Sequence, residues 1–408
     1  MPLTRKNNER GMKKYMELTA RELNLHREKV LQALEQYDWD TALIADKENQ
    51  YYLTGTRQDA LLVLQRSGEM LLFVRRSYER AQEESPLRDL VKPMKSYRDM
   101  GPYFPRGLGK VLVQKEKMPL AMLERIEKAL GKSEALLPLD RALTQARAVK
   151  TPFEQAILRQ CGEAHRRLLI EAAPALMREG MTEAELMGKL YAAMMDLGYQ
   201  GVSRFSMFQV EIGIGQMGFG ENSLAPTSFD GPDGMKGMYA ASISAGSRER
   251  QLRRGDLVFL DLAFGMHGYH TDKTQVYSFG GQASKEAAEI HGLLRQVQDR
   301  AAAMMRPGAA PAAIYQTVSE ELDPRLTDFM GYRERKVAFL GHGVGLYVDE
   351  APVIARGFDE PMQAGMAVAL EPKMGLAGLG TVGVEETYLI GKDGAECITG
   401  GNQEIMEV

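Results

Sequence analysis

A chain of 408 residues, 44% hydrophobic and 26% charged, carries ample apolar material for a soluble protein, and two domains are the natural expectation. Its net charge of −4 is spread without a long single-sign block, which argues against a nucleic-acid or membrane surface, and no apolar stretch approaches the roughly 18 residues of a membrane span. Two cysteines, Cys161 and Cys397, speak against a disulfide framework and fit a reducing compartment. The opening Met-Pro-Leu-Thr-Arg-Lys has no apolar core of a signal peptide, so a cytoplasmic location is expected.

Residues 1–24 are polar and charged, an arm leading into a helix whose spacing is set by Val30, Leu31 and Leu34 over Leu25 to Gln36. Short β-like runs follow at Thr41 to Ala45, Ala60 to Leu64, Glu69 to Val74 and Lys110 to Gln114, with an amphipathic helix at Leu120 to Leu130. This alternation predicts a small α/β domain over 1–149. Within it Asn49, Tyr52 and Gly55 read as a turn after a strand, and Trp39, the only tryptophan, as a packing residue. The second domain, 150–408, opens on Thr151-Pro152-Phe153-Glu154, a capping box with proline at the first helical position. That helix is expected to run to about Leu176 with a bend at Pro174, and Thr182 with Glu185 starts another that ends at Gly198. Residues 201–247 are rich in Gly, Ser, Phe and Met and read equally as a substrate-facing wall or a plain surface loop. Further helices are expected near Lys285 to Met304 and Pro311 to Leu322.

The chemistry concentrates in two hairpins. Gly255-Asp256-Leu-Val-Phe-Leu-Asp261 ends an apolar strand in an acid; the chain turns at Met266-His267-Gly268 and a second strand carries Asp272. Both acids are expected on one face, where they need a cation or a proton to be tolerable. Gly365 to Glu371 repeats the form, followed by a glycine-rich turn (Gly375, Gly378, Gly380) and a strand Val382 to Ile390 carrying Glu385. Upstream, Met177-Arg178-Glu179-Gly180 is echoed by Met305-Arg306-Pro307-Gly308. Two helix-then-hairpin halves would bring four carboxylates together at the axis between them. Between the hairpins, Gly341-His342-Gly343 offers an uncrowded imidazole. Asp261, Asp272, His342, Glu371 and Glu385 form a donor set suited to Mn²⁺, Co²⁺, Fe²⁺ or Zn²⁺ in a two-metal site.

Each residue also has an ordinary reading. A lone aspartate at a strand end is commonly a cap or a solvated turn residue. His26, His165 and His291 read as solvated helix residues, and His267 and His270 as exposed at the turn. Met194-Met195 and Met304-Met305 fit helix packing, and Glu386 should face away from Glu385.

The pieces Gly255 to Asp261, Gly268-Tyr-His-Thr-Asp272-Lys-Thr274, Gly341-His342-Gly343-Val-Gly345, Glu350-Ala-Pro352, Glu371-Pro372 and Val384-Glu385 resemble the creatinase, prolidase and methionine aminopeptidase superfamily of pita-bread metallopeptidases, of M24 type. The match is to the two-domain form typical of Xaa-Pro aminopeptidases and prolidases. The resemblance implies an α/β (α+β) protein: a creatinase-like N-terminal α/β domain followed by a pseudo-two-fold pita-bread domain. It further implies a homodimer acting on a peptide or small-molecule substrate through two divalent metal ions and a hydroxide bridging them. Asp261 would bind one ion, His342 and Glu371 the other, with Asp272 and Glu385 bridging, and Glu371 would take the proton of the attacking water. The chain departs from the family where peptidases carry histidines, at Asp349 and Ser244, and Thr274-Gln275-Val276 replaces Thr-Arg-Thr. Asp349 is expected to grip a substrate ammonium group instead. These departures keep two alternatives open: a metal-dependent hydrolase or lyase of another small molecule, or a non-catalytic metal-binding homologue.

Overall fold

In the N-terminal part, the run Thr41–Ile44 is buried at every position, which makes it the centre of a sheet rather than an edge. Around it form six strands in the order Val91–Pro93, Met70–Arg76, Asp59–Gln65, Thr41–Ile44, Lys110–Val113 and Ala135–Pro138. The three successive strands from Thr41 to Arg76 pair antiparallel, while Lys110–Val113 joins Thr41–Ile44 in parallel. The computed structural model describes residues 16–242, 245–401 and 403–408, so most of the N-terminal arm, and Ser244, lie outside the described residues. Helix Ala20–Leu34 starts where the Thr19 side chain accepts the Glu22 N–H. Trp39 is buried, as expected of a packing residue.

Two expectations fail in this part. Asn49 and Tyr52 lie in a helix, Lys47–Thr54, rather than a turn. Asp46 caps it by accepting the Asn49 N–H, and Gly55 stops it in the left-handed region at φ 76. Its inward face is polar: the buried Gln50 donates to the carbonyls of Ile44 and Ala60. An apolar-periodicity rule cannot see such a helix. His26 is buried rather than solvated, its ring stacked 4.0 Å from that of Tyr52 and its Nδ1 2.7 Å from the Tyr52 carbonyl.

The chain divides into two compact units, Met1–Asp140 and Arg141–Val408. The division falls at the start of helix Asp140–Ala148, upstream of the 149/150 boundary expected from the sequence. In the second unit Thr151 and Glu154 form the reciprocal capping box, and the helix runs Pro152–Arg166. It continues through a π-helical stretch, Arg167–Ala172, into Ala173–Leu176. The wider register just before Pro174 accommodates a ring that would clash with the carbonyl four residues back. Helix Glu183–Asp196 follows, again with a capping box, from Thr182 and Glu185.

A helix pair followed by a hairpin then occurs twice. The first hairpin joins Leu257–Met266 to Tyr269–Ser278 in one continuous register. The second half brings helices Lys285–Met304 and Pro311–Glu320 and a hairpin that is not continuous. Ala367–Leu370 pairs with Glu386–Ile390 in a five-stranded sheet, and Lys373–Leu376 pairs with Gly380–Gly383 in a four-stranded one. The single strand expected from Val382 to Ile390 is therefore broken at Val384-Glu385, opposite the break at Glu371-Pro372. Proline offers no N–H to a ladder, so the hairpin changes sheets where the two glutamates stand. The stretch 201–247 is also not all loop: Gly215–Phe219 is a strand paired with Leu257–Met266, placing Gln216 opposite Asp261.

Candidate metal centre

The register of the first hairpin sets Asp261 opposite Thr274 and Asp272 opposite Ala263. Cross-strand partners and residues two apart share a face, so both acids point the same way. From the second half, His342 sits in Phe339–Gly343 opposite Ala369 and Val353. Glu371 is fixed by its N–H to the Leu340 carbonyl at 3.1 Å. Glu385 is tied to the first hairpin twice: Thr274 donates its N–H to the Glu385 carbonyl at 3.2 Å and its hydroxyl to Oε2 at 3.1 Å. His342 Nε2 lies 3.4 Å from Glu371 Oε1 and 3.7 Å from Glu385 Oε1. Asp272, His342 and Glu385 each offer a ligand atom within 4.8 Å of the others, a group able to hold a metal ion. All five predicted side chains thus meet in one cluster.

Two further residues enter it that the sequence did not single out. Lys373, 0% exposed, directs Nζ at Asp261 Oδ2 (3.0 Å), Glu371 Oε2 (3.0 Å) and Glu385 Oε2 (2.7 Å). Asp233, also buried, comes within 3.6 Å of the same Nζ and accepts a hydrogen bond from Gln216 at 2.8 Å. A signal for Lys373 did exist: it belongs to an otherwise apolar strand, Lys373–Leu376, buried at all four positions. Asp233 lies in glycine- and proline-rich turn sequence that carries none.

The electrostatics follow from the crowding. Burial alone would raise Asp261, but Lys373 and hydrogen bonds with its neighbours outweigh it and bring the carboxyl down to about 2. Asp272 goes the other way, to about 8, through burial and the charge on Asp261. Burial and the facing carboxylates push Asp233 and Glu385 well up. Burial disfavours the His342 cation, yet Glu371 and Asp272 raise it to about 9; Lys373 is held charged by the acids around it. With every acid ionised the cluster would hold more negative charge than His342 and Lys373 balance, which is why Asp233, Asp272 and Glu385 cling to their protons unless a further cation is present.

The surroundings sort the other predicted residues. Asp349 is half-buried, and Ser206 donates both its N–H and its hydroxyl (2.7 Å) to the two carboxylate oxygens. Burial raises Asp349, against those hydrogen bonds. Glu386 faces away from the cluster, as expected of the residue beside Glu385, and forms a buried ion pair with Lys273. Gln275 is buried and donates to the Val276 and Glu404 carbonyls. His165 and His291 are buried rather than solvated: His165 Nδ1 lies 3.2 Å from Thr271 Oγ1, and His291 Nε2 lies 2.8 Å from the Gln403 carbonyl. Charged neighbours in sequence occupy the opposite faces of their helices. His270 is buried against Gln200 and the Gly345 carbonyl, while His267 is at the turn and half-exposed.

The comparisons agree with this architecture. Residues 156–392 match the model of metallopeptidase family M24, and residues 26–149 match the creatinase/prolidase N-terminal domain. The Xaa-Pro dipeptidase of Pyrococcus horikoshii is 25% identical over 385 residues, covering 93% of this chain and 97% of its own. The solved structure of dipeptidase PepE from Mycobacterium ulcerans superposes with a TM-score of 0.77 at 25% identity, over 96% of this chain and 99% of that one. An Xaa-Pro dipeptidase from Bacillus anthracis has the same fold, with a TM-score of 0.77 at 20% identity over 95% of this chain and 100% of that one. With a mixed α/β N-terminal unit preceding two helix-and-hairpin halves that share one acidic cluster, the chain belongs to metallopeptidase family M24.

Proposed function

We propose that the protein is a metal-dependent hydrolase of the Xaa-Pro dipeptidase or aminopeptidase type, with Asp261, Asp272, His342, Glu371 and Glu385 as the metal-binding residues. One observation carries this reading. Glu385 Oε1 is buried with no hydrogen-bond partner among the described residues, beside His342 Nε2 and the Asp272 carboxylate. A buried carboxylate oxygen without a donor is costly, and a divalent cation bounded by those three side chains satisfies it. The donor set of oxygens and one imidazole fits Mn²⁺, Co²⁺, Zn²⁺ or Fe²⁺. When bound, such an ion supplies Lewis acidity that polarises a substrate carbonyl and makes water acidic.

The chain's own residues do the rest. Glu371 turns one oxygen to His342 and the other to Lys373, and takes the proton of the attacking water. Asp349, oriented by Ser206, faces the substrate and holds its ammonium group. The resemblance to Xaa-Pro peptidases supports a homodimer and, taken without Lys373, two ions; the free thiols of Cys161 and Cys397 support a reducing, cytoplasmic setting.

A second reading, a metal-dependent hydrolase or lyase of another small molecule, is favoured by Asp349 itself. A carboxylate near His342 repels the oxyanion that peptide hydrolysis develops. One screen separates the two: the purified protein, loaded with Mn²⁺ or Co²⁺, is assayed on Xaa-Pro dipeptides and longer Xaa-Pro peptides beside Asp261→Asn. Turnover that the variant loses by about 100-fold or more is the expected result. Turnover no greater than that of the variant removes the peptidase reading.

A further inference from the structure

We propose that this centre takes one dication rather than two, because the Lys373 ammonium fills the second ion's place; the inference rests on the metal-dependent reading of the site. Lys373 Nζ lies 3.0 Å from Asp261 Oδ2, 3.0 Å from Glu371 Oε2 and 2.7 Å from Glu385 Oε2. An ammonium has three N–H donors, and here each meets a different carboxylate. A dication bound through oxygen stands about 2.0–2.2 Å from its ligands. An ion held by those same three oxygens would overlap the ammonium, so the two cations exclude each other at that point.

The lysine is also held in place. Its side chain is fully buried, with Nζ 5.9 Å from the centre of the Phe259 ring. Its backbone pairs with Gly383, where an added Cβ would come 2.6 Å from Lys373 Cα and 3.0 Å from Cγ. Glycine at 383 is thus what lets the Lys373 side chain lie along its partner strand, since any side chain there would crowd it.

Both glutamates divide their oxygens between two positions. Glu385 gives Oε2 to Lys373 and, among the described residues, leaves Oε1 without a hydrogen bond, 3.7 Å from His342 Nε2. Glu371 gives Oε2 to Lys373 and turns Oε1 to within 3.4 Å of His342 Nε2. Each carboxylate therefore spans two cation positions. The chain fills one with an ammonium; the other is bounded by Asp272, His342 and Glu385.

The test is ion stoichiometry, read independently of turnover. The full-length protein is saturated with Mn²⁺, desalted, and analysed for metal per chain and by electron paramagnetic resonance. The wild type is expected to retain one Mn²⁺ per chain with the spectrum of an isolated ion, and Lys373→Gly to retain two with the spectrum of an exchange-coupled pair. Two coupled ions in the wild type would overturn this inference and leave the hydrolase reading intact. No retained ion would overturn both. A folded Lys373→Gly that still holds one ion would show that the lysine is not what excludes the second. The wild-type spectrum decides the ion number even if the glycine variant does not fold, and Lys373→Arg, which keeps the cation, is expected to stay at one.

Discussion

Lys273 and Lys373 lie on neighbouring parts of one unit, both fully buried, and both face carboxylates. Among the described residues Lys273 pairs with one acid, Glu386, whose other oxygen accepts the Thr399 hydroxyl; it is a closed pair within the core. Removing one member leaves a buried charge unmatched, so Lys273→Met is expected to cost roughly 3–5 kcal/mol in a denaturant titration, and Lys273→Met with Glu386→Met to recover most of that. A double variant less stable than the single one would show that the pair has no such role. Asp261 and Asp272 were legible in the sequence because strand alternation and a glycine turn fix which way a side chain points. Lys373 was harder to see, since its partner Asp261 is 112 positions away and only its short run of apolar neighbours hints that it is buried. The histidines failed for a related reason: His165 shares its helix with many charges, but the buried face also carries Leu158 and Cys161.

At the scale of elements, the strand Gly215–Phe219 supports Asp261 from behind through backbone pairing. Gly215 has φ 142, and an added Cβ would stand 2.1 Å from the Asp261 carbonyl oxygen. Gly215→Ala is therefore expected to lose about 1–3 kcal/mol and to weaken Mn²⁺ binding by displacing Asp261, measured by thermal unfolding and by metal titration. Gly188, mid-helix with nothing within 4 Å of an added Cβ, is the control; Gly188→Ala should gain about 1 kcal/mol. Equal effects at the two positions would refute the close-approach argument. The strand escaped the sequence reading because Gly-Gln-Met-Gly-Phe looks like turn material. The break in the second hairpin escaped it too, although Pro372 marks one side of it. The capping boxes at Thr151 and Thr182, by contrast, are local signals and both helices begin where they place them.

Across the molecule, His165, His270 and His291 are buried in the second unit, and burial pulls them down to about 3, about 4 and about 4. A histidine whose folded value is depressed resists protonation only while the chain is folded. Its contribution is whole above about 6.5 and is lost as pH falls from there toward the folded value. At pH 5 the loss is about 2 kcal/mol for each. The raised acids Asp233, Asp272 and Glu385 pull the other way over the same range, so the effect on unfolding stability is read as a difference. Between pH 6.5 and 5 the wild type is expected to lose about 2 kcal/mol more than His291→Gln, and an unchanged difference would contradict the burial of that ring. At this scale the sequence showed the repeated helix-and-hairpin plan and the convergence of five candidate side chains. What it could not show was charge balance, which depends on residues brought together only by folding.

The position of Lys373 has a consequence for how the protein is assembled. An inorganic ion must be captured from the surroundings, competes with other ions, and can be drawn off by a chelator. An ammonium carried on a strand arrives with the polypeptide, at a fixed ratio, and cannot diffuse away. Asp261, Glu371 and Glu385 are thereby kept in company by the fold itself, whatever the supply of metal.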